Sequence, residues 1–86
     1  MGHTKTAIGQ NAPSLVGLLV RSHRLHADLS IRELSALTGL NPSTITKIER
    51  GYFKPLDSTI MTIAHALKLG KMARAALIEA ANDTEL

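Results

Sequence analysis

The stretch that decides the reading is Ser30-Ile31-Arg32-Glu33-Leu34-Ser35-Ala36-Leu37-Thr38-Gly39-Leu40-Asn41-Pro42-Ser43-Thr44-Ile45-Thr46-Lys47-Ile48-Glu49-Arg50-Gly51. It contains two short helices and a turn too tight to let them run side by side. Ser30 with Glu33 three residues on is a capping box: the serine accepts from the first turn and the glutamate reaches back. Leu34 and Thr38, flanked by Ile31, form the buried stripe of this helix. Gly39 supplies the left-handed conformation that ends it. Asn41 is the expected N-cap of the next helix, with Pro42 as its first residue, where a missing N–H costs nothing. Gly51 ends that helix. A three-residue link opening on glycine sets two helices at a steep angle, so Leu34, Leu40, Ile45 and Ile48 can close one core between them.

A helical projection of the second of these helices separates two faces. With Ser43 as reference and about 100° per residue, Arg50 lies at about −20°, Lys47 at about 40° and Thr46 at about −60°. Thr44 lies on the flank, at about 100°, and Ile45 and Ile48 face inward. The outward face is Ser, Thr, Lys and Arg, with no acid. Any solvated helix could have that composition. Placed after a tight turn and two caps, it suits a DNA major groove, where short hydroxyls permit close approach and a long cation reaches a guanine edge or a phosphate. Glu49 falls on the inward side, and so, on the first helix of the chain, does Arg24. Buried charges need partners, and the two are expected to pair, bidentate where geometry allows.

Outward from this core the chain reads as helix throughout, because no run alternates apolar and polar residues as a strand would. Residues 1–12 are polar and aperiodic and read as a flexible N-terminal arm; residues 13–81 form the domain; residues 82–86 are an acidic tail expected to fray. The first helix is expected from Pro13 to Ala27, with Val16, Val20, Arg24 and Ala27 on its inward stripe. The fourth follows the loop Tyr52 to Leu56, is capped by Asp57 or Ser58, and has Leu56, Ile60, Ile63, Ala64 and Leu67 as its stripe. Gly70 breaks the chain. The fifth runs from Lys71 to Ala81 with Ala73, Ala76, Leu77 and Ala80 inward. The fold class is therefore all-α, five helices, with the helix-turn-helix at the second and third.

The sequence resembles the lambda-repressor-like helix-turn-helix domains of the Cro and xenobiotic-response-element type. The residues that carry the resemblance are Val20-Arg21 and Arg24, Leu29 to Ser35, Thr38 to Gly51, then Pro55, Ile60, Ile63-Ala64 and Leu67, within a match from Gly17 to Leu69. The resemblance implies a compact five-helix domain that binds double-stranded DNA as a homodimer on a palindromic operator. It places Pro42, Ser43 and Lys47 at base-contacting positions, flanked by Thr44 and Thr46, and Arg50 and Lys54 at phosphates. It makes Arg24 and Glu49 the family's structural ion pair. Two positions depart from the pattern. Ile31 stands where the family often has a phosphate-binding glutamine, so Ser30 or Arg32 takes that role. Pro42 stands where a polar base reader is usual, which shifts reading to Ser43, Thr44 and Lys47.

Composition bounds the function. The chain has 86 residues, no cysteine, one Tyr, one Phe and no Trp. One small aliphatic core fits, without disulfides or thiolate metal sites. The net charge of +3 hides a split: residues 1–74 hold all ten Lys and Arg against four acids, and the last twelve hold three acids and no cation. The longest apolar run, Leu15 to Val20, is six residues against the roughly 20 a membrane span needs, and it lacks a cleavage site. The expected location is cytoplasmic, nucleoid-associated when bound to DNA.

His23 and His26 splay apart and lack a third ligand, so no metal or cofactor is expected. The myristoylation-like start Met1-Gly2 and the glycosylation-like Asn82-Asp83-Thr84 are too loose to use. No nucleophile–base set or phosphate loop is present, so an enzyme is not expected. The functional reading is a sequence-specific transcriptional regulator, a bacterial or phage repressor. The alternative is an antitoxin-type or adaptor protein that covers a toxin or co-regulator. Helix five, with Ile78, is the first candidate for a dimer contact.

Overall fold

The computed structural model describes residues 14–82. Within them the chain forms five helices and no strand: α1 Leu15–His26, α2 Ile31–Thr38, α3 Pro42–Glu49, α4 Asp57–Ala66 and α5 Lys71–Asn82. The expected arm at 1–12 and tail residues 83–86 lie outside the described residues. α1 packs on α3 and α5, α2 on α3 and α4, and α4 on α5. The shared core is aliphatic. Val20, Leu34, Ile45, Ile48, Ile60, Ile63 and Leu77 are its largest fully buried side chains, and both aromatic residues, Tyr52 and Phe53, stay outside it. At about 25 cal/mol per Å² of apolar surface removed from water, such side chains contribute about 1.5–3 kcal/mol each.

Each helix start has its own chemistry. Ser30 Oγ accepts from the Glu33 N–H at 3.0 Å, and Glu33 Oε1 accepts from the Ser30 N–H at 2.8 Å, closing the capping box. α1 begins later than expected, because Ser14 is its N-cap and accepts from the Gly17 N–H at 3.1 Å. α4 is a correction. Its N-cap is Leu56, not Asp57 or Ser58, and no side chain caps it. As an extended N-cap, Leu56 lies outside the helix and is 72% exposed rather than part of the stripe. Asn41 does occupy the N-cap of α3, but its side chain makes no capping bond.

Helix ends moved two further residues. Ala27, expected on the inward stripe, is the exposed C-cap of α1. α4 stops before Gly70, because Lys68 adopts the left-handed conformation (φ 57°) and its N–H donates to His65 O at 3.0 Å. On α5 the buried stripe is Leu77, Ala80 and Ala81, with Ala73 half-buried and Ala76 exposed. That helix runs one residue past Ala81: Asn82, assigned above to the tail, donates to Asp57 Oδ1 at 3.1 Å and to Ile78 O at 2.9 Å.

Candidate nucleic-acid interface

The turn between α2 and α3 fixes the angle at which α3 is presented. Gly39 carries φ +78°, which a residue with a Cβ rarely adopts. Hydroxyls then hold Leu40 at both ends. Its N–H donates to Thr38 Oγ1 at 3.1 Å, and its carbonyl accepts from Ser35 Oγ at 2.6 Å. Thr38 was expected simply as buried stripe; it is half-buried, and its hydroxyl also donates to Leu34 O at 2.8 Å. The turn therefore has no unsatisfied polar group at Leu40 and little freedom to open.

The inward side of α3 is locked to α1. Ile45 and Ile48 are fully buried. Arg24 Nε donates to Glu49 Oε2 at 2.7 Å and Arg24 Nη2 to Oε1 at 3.0 Å, a bidentate pair with both residues nearly buried, at 6% and 5% exposure. The third guanidinium nitrogen, Nη1, donates to Leu29 O at 2.9 Å, tying the pair to the turn that follows α1. The hydrogen bonds that Arg24 donates to Glu49 hold its guanidinium above its ordinary pKa, against the opposing effect of burial, and the carboxylate's charge adds to them.

A second device was missed in the sequence. Gly17, in the first turn of α1, sits against the end of α3 so closely that a Cβ there would lie 2.5 Å from the Ile48 carbonyl oxygen and 2.7 Å from that of Glu49. A glycine inside a helix costs about 1 kcal/mol relative to alanine. That cost at an otherwise apolar position was the signal available in the sequence.

The outward side is open. Pro42, Ser43, Lys47 and Arg50 are exposed, and Thr44 and Thr46 half-buried. Ser43, Lys47 and Arg50 follow one another at helical spacing along a single stripe. Ser30 and Arg32, at the start of α2, and Lys54, in the loop after α3, are exposed as well. Ser30 has its N–H and one oxygen lone pair engaged in the capping box, which leaves the hydroxyl hydrogen available. Asn41, exposed and unused as a cap, adds a free amide beside Pro42 that sequence reasoning had assigned to the helix end. Among the described residues no group of three His, Asp or Glu could hold a metal ion, and no helix is long and apolar enough to cross a membrane.

Residues 20–71, from the middle of α1 to the start of α5, match the helix-turn-helix family model HTH_3. The chain belongs to the lambda-repressor-like helix-turn-helix family. The helix-turn-helix is a DNA-binding motif. The structure is similar to that of the clp gene regulator ClgR from C. glutamicum, with a TM-score of 0.66 and 24% identity, over 77% of this chain and 81% of that one. At that identity the likeness is one of fold. No curated protein matches the chain significantly. Within the helix-turn-helix framework α3 is the recognition helix, and α2 is the helix that crosses the DNA backbone.

Proposed function

We propose that the protein is a sequence-specific, homodimeric repressor that lays α3 in the major groove of a palindromic operator. The observation that carries this reading is the division of α3. One stripe, Ser43, Lys47 and Arg50, is exposed and free of acid, while the opposite side is locked to α1 through Ile45, Ile48 and the Arg24–Glu49 pair. A rigidly mounted helix with a short hydroxyl and long cations outward is what reading base edges and gripping the flanking phosphate requires. Pro42, Ser43, Thr44, Thr46 and Lys47 face the bases in this reading. Ser30, Arg32, Arg50 and Lys54 meet phosphates, which supply affinity and salt dependence but carry no sequence information themselves. The role is regulatory rather than catalytic, and its place is the cytoplasm, at the nucleoid.

The dimer is proposed on α5, with a second copy of this chain as the occupant. Lys71 and Glu79 lie two helical turns apart on one side of α5, with exposed Ala75 midway, and they line a shallow patch with Met61, Arg74 and Ile78. A two-fold axis at Ala75 sets Lys71 opposite the partner's Glu79, and alanine lets the helices approach. The experiment is selection of bound sites from random duplex DNA. The expected product is an inverted repeat whose half-site centres lie about 34 Å apart, one helical turn. Recovery of a lone half-site would contradict the dimer, and no enrichment at all would contradict sequence-specific reading.

A further inference from the structure

Beside the recognition helix runs a groove of about 560 Å³ whose lining includes Leu18 and Arg21 of α1, Ile31 of α2, Thr46 of α3, and Arg50 and Tyr52 just beyond it. Its remaining wall is the Arg24–Glu49 pair. We infer that Arg21, with Arg50, makes this groove a binding site for a DNA backbone phosphate, with Tyr52 as an additional donor. The inference rests on the DNA-binding reading and deepens it by assigning a contact outside the helix-turn-helix itself.

Four observations converge. The lining carries three arginines against one glutamate, so the groove is a cationic concavity. Arg24 is committed, since its guanidinium already donates to both Glu49 oxygens and to Leu29 O. Arg21 is not: it is exposed, and among the described residues the one ion pair is Arg24–Glu49. The groove also shares Thr46 and Arg50 with the face of α3 that addresses DNA, and it reaches Ile31, the first residue of α2. With α3 in the major groove, the element beside it is the sugar–phosphate backbone. A guanidinium matches a phosphate with two parallel hydrogen bonds. Leu18, Ile31 and the Tyr52 ring offer apolar contact to a deoxyribose, and the phenol can donate. Ile31 itself offers no side-chain donor, so Arg21 supplies across the groove what that position lacks.

The test is the salt dependence of binding to the site recovered by selection, and to random-sequence duplex. Loss of one phosphate contact lowers the slope of log K against log salt by about 0.9. Arg21→Gln is expected to lose that much on both DNAs, so that its affinity deficit is largest at low salt and fades at high salt. Arg21→Lys, which keeps the charge, should retain the slope, and Lys68→Gln, outside the groove, should leave it unchanged. Thermal melts of all three should match the parent, because none removes a described hydrogen bond. An unchanged slope in Arg21→Gln, or an equal loss in Lys68→Gln, would overturn the assignment while leaving the DNA reading intact. If the parent protein shows no salt-dependent binding to duplex DNA, both fall together.

Discussion

Glu49→Ala is expected to destabilise the domain by about 3–5 kcal/mol. The loss does not measure the worth of the ion pair. Taking two charges out of water costs nearly as much as their attraction returns, so an intact buried pair contributes little net stability. Removing the carboxylate alone strands Arg24, a guanidinium that is 6% exposed and left with Leu29 O as its one remaining partner. A domain of this size has a total stability on the order of 5–15 kcal/mol, so the variant should melt far below the parent, at about 4–8 °C per kcal/mol. The double variant Arg24→Met, Glu49→Leu removes both charges and should regain most of the loss. Equilibrium unfolding in urea decides the matter. A loss under about 1 kcal/mol in Glu49→Ala would mean that the pair is not buried as described. On the arginine side the contribution does not vary near neutrality. A cation whose folded-state pKa is raised contributes fully below its unfolded value and loses that contribution only as pH rises through the folded one, and for Arg24 both lie far above neutral.

Gly17→Ala is the second large effect, and it acts on the same joint. The added methyl would meet the Ile48 and Glu49 carbonyl oxygens at 2.5 and 2.7 Å. Both are backbone atoms, so no rotamer change relieves the clash; α3 itself must move away from α1. Overpacking of this kind costs about 1–3 kcal/mol and occasionally more. Helix propensity works in the opposite direction, by at most about 1 kcal/mol in favour of alanine, the value for a helix interior. With contacts this short to fixed backbone, the clash wins, and a net loss of about 2 kcal/mol is expected. The displacement would also strain the Arg24–Glu49 geometry, so the double variant Gly17→Ala, Glu49→Ala should lose less than the two single losses together. A Gly17→Ala protein as stable as the parent would show that α1 and α3 do not approach as closely as described.

These two residues mark where the sequence was legible and where it was not. Arg24 and Glu49 stood out because a charge on an apolar stripe is an anomaly that helical periodicity exposes, and each anomaly solved the other. The Ser30–Glu33 box and the turn at Gly39 were legible because their chemistry lies within a few consecutive residues. Gly17 was not, because its reason lies across the fold, in the backbone of a helix some thirty residues away. The ends of α1 and α4 were misplaced for a different cause. Asp28 and Lys68 take the left-handed conformation, φ 65° and 57°, which glycine adopts most readily. In both turns two hydrogen bonds close the end: Asp28 N–H to Leu25 O and Leu29 N–H to Arg24 O after α1, and Lys68 N–H to His65 O and Leu69 N–H to Ala64 O after α4. Leu29 and Leu69, partly buried against the core, anchor each turn. Tertiary anchoring thus overrides the local preference. Arg21 was passed over because a lone exposed arginine has no signature in sequence; only the groove it shares with Arg50 gives it a role.

The central claim is that α3 reads bases through its exposed stripe, with Lys47 as the cation that reaches a base edge. It is tested most directly by comparing Lys47→Ala with the parent on two DNAs at one salt concentration, the site recovered by selection and a random-sequence duplex. The expected result is a loss of about 1–3 kcal/mol on the selected site, relaxed discrimination at one base position, and a clearly smaller loss on random DNA. An equal loss on both would place Lys47 at a phosphate and contradict base reading by this helix.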